Sequence, residues 1–497
     1  MKKIYEKEEG IASTVGTIFA LMIFTALLGM FMTQVVPVTM KENEAEHDRQ
    51  VLSQFSTLRS MIDILTLTKD TNYTAYVPIK MGADGIPFFA SPTYGQLSLY
   101  PKTAGTSGYS MSLNFTDKYG NDVVRNGSGS VQFIAPNKYY VPEVFEYANG
   151  AIMRYNYQVK NAVFAINPNI KFESIDEGYA LKFNQHNYVN CGDISYHDWA
   201  GLTVEAWIYW TGKTNNGYAG VYFKGVSGIG RFMIYKTGRV LVQNGNGNFW
   251  SNESGDIPKN KWTHIAYVYD QNAGKEYIII NGVIKGEKSR HGSISQNDYN
   301  LLIGYGYGDD SYYSFDGFID EFRVLDRALT PEEVEADYLA GAHYPFMGGT
   351  VAWYHFDKGT GSTAVDSSAH HHNGTLEGTP PPTWVQRKGL RVSVNLQNIF
   401  GTPSSITGTS TRSIAISLQG VYTESFKVGS DFKISLKDYY HFSSGFSFDF
   451  TNYWINYITG ELNNTGIDYT ISGNTISISS VEEVNINTAY IIIGIES

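Results

Sequence analysis

Cleaving a glycosidic bond takes two carboxylates on one face of a strand, a spacing that reads Glu-X-Asp-X-Glu. No such run occurs in the 497 residues. Asp316, Asp320 and Glu321 lie near one another, but in a regular strand residues 320 and 321 point to opposite faces. A Gly-X-Ser-X-Gly elbow, a His-Glu-X-X-His zinc motif and a phosphate-binding P-loop are also missing from the sequence. His370, His371 and His372 supply imidazoles, yet three adjacent side chains cannot converge on one ion, and they precede an Asn373-Gly374 turn. The chain therefore reads as non-enzymatic. Its binding chemistry lies in aromatic rings, which offer large contact area at low entropic cost. Tyr305, Tyr307, Tyr312 and Tyr313 share one glycine-containing loop with Asp309 and Asp310, and Trp250 follows the loop Asn244-Gly245-Asn246-Gly247. These seven residues are the expected ligand contacts. Trp207 and Trp262 sit mid-strand and are expected in the core.

Those loops need strands to carry them. The chain holds 37 Tyr and 27 Phe, is 14% aromatic and only 17% charged, a balance that favours pleated sheet over helix. Its length calls for more than one domain. The net charge of -11 argues against a nucleic-acid partner, which would require a basic face. The single cysteine, Cys191, permits no intrachain disulfide and reads as a small buried apolar residue. Asn-X-Ser/Thr sequons at Asn72, Asn114, Asn126, Asn252, Asn373 and Asn463 agree with an exported exterior.

The amino end is different. From Gly10 to Met40 no charged residue occurs, enough apolar chain to cross a bilayer. Lys2, Lys3 and Lys7 before it favour a cytoplasmic amino terminus. Beyond it, Val51, Phe55, Leu58, Ile62 and Leu65 recur at helical spacing, so one long helix is expected, with Pro37 kinking it and Lys41–Glu46 solvated. The run Glu8-Glu9-Gly10-Ile11-Ala12-Ser13-Thr14-Val15 resembles the start of archaeal pilin-like proteins with class III signal peptides. That resemblance implies processing between Gly10 and Ile11 and assembly into an oligomer or filament through the helix. Val15 stands where bacterial pilins carry a glutamate.

From residue 179 onward the sequence alternates as half-buried strands do, in Leu202–Trp210 and Lys261–Asp270. Asn281-Gly282 between Glu276–Ile280 and Val283-Ile284 is a strong hairpin signal. Thr330, Pro331 and Glu333 mark a capped helix start. The stretches ALKF, LTVEAWIYW, KWTHIAYVYD, YIIINGVIKG and FDGFIDEFRVLDRALTPEEVEADY resemble a laminin-G-like, concanavalin A-type lectin domain. The family's usual opening strand resembles Val351–Gly361, here placed after the closing helix. Either the domain is circularly permuted or a truncated second repeat follows it. The resemblance implies a structural calcium on Asp357, Asp366 and Asp320.

The expected architecture is mainly β: a leader at 1–10, a transmembrane and stalk helix at 11–69, and a jelly-roll sandwich at 175–387. Residues 70–172 and 388–497 form one discontinuous β head domain, or two independent ones. The expected function is that of a single-pass, membrane-anchored, pilin-like surface protein whose lectin-like module, facing outward, binds glycans or surface proteins in adhesion. A structural filament subunit that binds nothing is the alternative, and a secreted carbohydrate-active enzyme a more distant one.

Overall fold

The structure is a computed structural model and describes residues 2–102, 108–194, 199–225, 229–245, 247–294, 296–306, 313–341, 347–441 and 447–496, the side chains of 2–13, 108, 439–441 and 447–448 excepted. Strands take 50% of the chain and helices 18%, which makes the fold mainly β. The chain divides into two compact units, residues 1–174 with 389–497, and residues 175–388.

In the first unit, helix Lys2–Met30 runs through a π-helical turn, Phe31–Val35, into helix Val36–Thr68. The turn has a local cause. Pro37 lacks an N–H and its ring would strike the carbonyl four residues back, so the hydrogen-bond ladder widens ahead of it. Thr14 onward includes a stretch long and apolar enough to cross a membrane, and its rings stand free, with Phe19 and Phe24 each 61% exposed. Further along, Val51, Phe55, Leu58, Ile62 and Leu65 are all buried, as their spacing predicts. The charged section is not wholly solvated, however. Glu44 is fully buried and accepts backbone N–H groups from Lys138, Tyr139 and Tyr140 at 3.1, 2.7 and 2.5 Å. Three donors replace the water that a buried carboxylate gives up.

The helix packs on β structure drawn from both ends of the chain. Strand Thr74–Ile79 pairs antiparallel with the long strand Arg412–His441, which also pairs with Val481–Glu496 and Gly108–Asp117. A six-stranded sheet runs in the order Ser404–Gly408, Gly95–Tyr100, Ser130–Ala135, Glu143–Ala148, Ala151–Asn156, Asn161–Ile166. Leu97, Leu99, Val131, Phe133, Phe145 and Tyr147 on one of its faces join the helix stripe in one core. The other face looks onto a second core containing Tyr109, Met111, Ala148 and Trp454.

The second unit is a two-sheet sandwich. Its front sheet runs Val283–Ser289, Lys275–Ile280, Trp262–Asp270, Gly201–Trp210, Asp316–Leu325. The back sheet includes Gly230–Tyr235, Tyr218–Lys224, Leu302–Ile303, Asn187–Asn190 and Gly374–Gly378. Between them lie Phe183, Val204, Trp210, Phe232, Tyr267, Phe322 and their neighbours. Asn281 and Gly282 take φ of 49° and 75° in the hairpin that their sequence predicts. Helix Pro331–Ala340 carries the full capping box of Thr330 and Glu333. It is tied to the sheet by buried Arg323, which bonds Glu205 and, at 2.6 Å, Asp337. Cys191 is buried, and burial pushes its thiol up to about 12. Strands after the helix complete this same sandwich: Thr350–Tyr354 pairs with Asp316–Leu325, and Gly374–Gly378 with Asn187–Asn190.

Candidate functional site

Two short strands share one edge of Asp316–Leu325. Residues 181–184 pair with 316–319, and Thr350–Tyr354 pairs with 322–325. Where they meet, the strand bulges: Glu205 faces Arg323 but Trp207 faces Asp320, and Glu321 takes a left-handed φ of 46°. An extra residue in one strand re-aims the side chains around it. The expectation that residues 320 and 321 face apart fails for this reason. Glu321 accepts the indole N–H of Trp353, which clusters with Trp207 outside the main core, while Asp320 pairs with Arg387. Burial pushes Asp320 up to about 7, Arg387 opposing. Both carboxylates are 1% exposed, so neither reaches a polysaccharide.

The chain leaving Thr350–Tyr354 brings His355 and Asp357 to this bulge. His355 Nδ1 lies 2.9 Å from Glu321 Oε1. Burial works to lower the His355 pKa, but hydrogen bonding to Glu321 and the charge on it outweigh this and hold the imidazole above its ordinary value. Asp357 Oδ1 accepts the Tyr179 N–H at 2.9 Å. The approach requires glycine at 178, where φ is 79° and a Cβ would stand 2.0 Å from Asp357 Oδ1. Glu321, His355 and Asp357 each bring one ligand atom to within 4.8 Å of the others. The expected trio is not gathered in this way. Asp366 is saturated: its Oδ1 accepts the N–H groups of Trp353 and Ser368, its Oδ2 the Ser368 hydroxyl and the His372 N–H. Asp320 is held by Arg387, leaving Asp357 alone of the three in the cluster. A Glu-His-Asp set also does not suit calcium, which takes oxygen donors; carboxylates with imidazole suit zinc or manganese.

Beside the cluster opens a hollow of about 380 Å3, lined by His355, Phe356, Asp357, Lys358, Val365, Ser367 and Trp384. Trp384 donates its indole N–H to the Gly361 carbonyl at 2.7 Å, which fixes the ring. Apart from Asp357, none of its lining residues is among the site residues expected from sequence. Of those, Tyr307, Asp309, Asp310 and Tyr312 lie outside the described residues. Tyr305 packs against Tyr188 and Phe223. Trp250 and Tyr313 both pack on Tyr218, at 6.4 and 5.2 Å, in a half-buried ring cluster that includes Tyr235 and Arg239. Trp207 is buried beneath Tyr338 of the capped helix, and Trp262 is half-buried under the Arg387 guanidinium. His370 and His372 stack in the turn around Asp366. Gly10 and Ile11 are helical, their side chains outside the description.

Residues 183–335 match the concanavalin A-like lectin/glucanases superfamily. The second unit is a concanavalin A-like sandwich. Among solved structures this chain is similar to a Bacteroides ovatus protein described as carbohydrate binding, at 18% identity, over 59% of this chain and 92% of that one, with a TM-score of 0.34. It is also similar to the heptameric SAP-like pentraxin of Limulus polyphemus (16% identity, 44% and 97%, TM-score 0.29) and to mouse laminin alpha1 domains LG4-5 (11%, 52% and 90%, TM-score 0.21). No curated protein matches.

Proposed function

We propose that this is a membrane-anchored surface protein whose lectin-like unit binds a glycan, without catalysis, in the hollow at His355–Trp384. The observation that carries the reading is the composition of that hollow. A fixed indole, an exposed aliphatic side chain and exposed charged groups of both signs lie together, the mix that stacks on a sugar ring and hydrogen-bonds its hydroxyls. The neighbouring Glu321-His355-Asp357 set would hold a zinc- or manganese-class ion and brace the hollow from behind. The exposed apolar helix would sit in lipid with the β units outside the cell, where adhesion is the natural use, and pilin-like processing at Gly10-Ile11 would leave that helix free to assemble.

The test is a glycan array probed with detergent-solubilised full-length protein, with and without chelator. Trp384→Ala should abolish the signal and Trp250→Ala should leave it. Retained binding in the first variant and loss in the second would move the site to the Tyr218–Trp250–Tyr313 cluster. An array that stays blank for the native protein would favour the structural-subunit alternative.

A further inference from the structure

The head unit contains a buried polar cluster unrelated to the lectin-like site. On the six-stranded sheet, the face turned away from the stalk helix carries Ser98, Ser130, Gln132 and Glu146 among apolar residues. Gln132 lies directly opposite Glu146 on the neighbouring strand. On the strands that face it, Tyr109 lies directly opposite Asp438. All four of these last-named side chains are at most 2% exposed. Trp454, its ring 4.9 Å from that of Tyr109 and tilted to it, donates its indole N–H to Asp438 Oδ2 at 2.9 Å. The rest is unanswered. Both ends of the Gln132 amide, both Glu146 oxygens, the Tyr109 hydroxyl and Asp438 Oδ1 are buried without a hydrogen-bond partner among the described residues.

Each such atom costs about 1–3 kcal/mol when nothing meets it, so a partner for these atoms is strongly favoured. The donor set says which. Glu146 Oε1 and Oε2, Asp438 Oδ1, Gln132 Oε1 and the Tyr109 hydroxyl are oxygens, with no imidazole or thiolate among them. Hard cations choose such sets, and calcium takes about six to eight oxygens, water completing what the protein lacks. Two carboxylates also balance one divalent charge. Without a counter-ion the pair is costly: burial drives both carboxyls well above the usual range, and Asp438 pushes Glu146 further.

We infer that the head unit holds a calcium-class cation between its sheets, bound by Glu146 and Asp438 with the Gln132 amide oxygen and the Tyr109 hydroxyl. This site is independent of the lectin-like reading. Full-length protein in detergent, stripped with chelator and dialysed against calcium, should regain one equivalent that His355→Ala/Asp357→Asn protein still binds and Glu146→Gln protein does not. Trp454 is the single tryptophan outside 175–388, so terbium in this site should luminesce on tryptophan excitation. In the His355→Ala/Asp357→Asn background, Trp454→Phe should remove most of that emission while leaving the equivalent, a readout that holds even if Glu146→Gln fails to fold. Folded Glu146→Gln protein that keeps its calcium would overturn the site. So would His355→Ala/Asp357→Asn protein that takes up none, since protons alone would then neutralise the pair.

Discussion

At the scale of residues, buried carboxyls set the response to pH and to substitution. Asp48 on the stalk helix is 3% exposed and accepts the Asn137 amide at 2.7 Å. Burial raises its pKa from 3.8 to about 6, with the His47 hydrogen bond opposing and Glu143 adding to the rise. The folded chain thus keeps a proton that the unfolded chain releases near pH 4. Its contribution to stability falls as pH climbs from about 4 to 6 and stays low above that, by on the order of 3 kcal/mol. Asp48→Asn should flatten this part of the stability curve, measured by denaturant unfolding between pH 4 and 7. Asp366 matters through its hydrogen bonds, which satisfy both of its oxygens. Asp366→Ala strands several buried N–H groups and should destabilise the lectin-like unit by about 2–4 kcal/mol, while the metal content of the Glu321-His355-Asp357 cluster stays unchanged. The family resemblance implies Asp366 as a ligand because acidic turns look alike until their donors are seen. One signal is visible in the sequence: Trp353, His355 and Asp357 recur two apart, the spacing of one strand face. The left-handed Glu321 that completes the set carries no mark in the sequence, because a bulge depends on which strand lies opposite.

At the scale of elements, local chemistry was the most legible. The Asn281-Gly282 hairpin, the Thr330 capping box and the apolar stripe from Val51 to Leu65 each stand where the sequence predicts, because neighbouring residues alone decide them. The buried Glu44 did not announce itself. Its donors are backbone groups some ninety residues away, on a loop that no periodicity connects to the helix. The stalk consequently has two kinds of hold, an apolar stripe and a carboxylate seated among amides. Phe55 is fully buried and lies 6.5 Å from Phe145. Phe55→Ala should cost the first unit about 3–5 kcal/mol and leave the unfolding of the second unit where it was. Calorimetry in detergent resolves the two transitions, and a shift in both would deny the separate core.

At the scale of the whole molecule, the two units close upon themselves. Within the first, Arg391 pairs with Glu173 at 3.2 Å, so its two segments meet. Within the second, Gln386 bonds Asp176 at 3.2 Å, so its ends meet as well. Replacing 175–388 by a short Gly-Ser linker should therefore leave a folded first unit, and residues 175–388 expressed alone should fold too. Circular dichroism and cooperative thermal melts of the two fragments check this; a molten fragment would refute it.

The pairing of Thr74–Ile79 with Arg412–His441 has a consequence for biogenesis. A chain that leaves the ribosome amino end first exposes the strand Thr74–Ile79 some 340 residues before its sheet partner is made. Until that partner arrives the stalk's apolar stripe can lie on the strands between residues 95 and 156, but the backbone of Thr74–Ile79 has no ladder to join. The intervening sandwich is complete by residue 388 and can close while synthesis continues. The late strand Arg412–His441 is thus the latch for the early strand Thr74–Ile79, and truncations that remove it should be read as failures of maturation before they are read as losses of function.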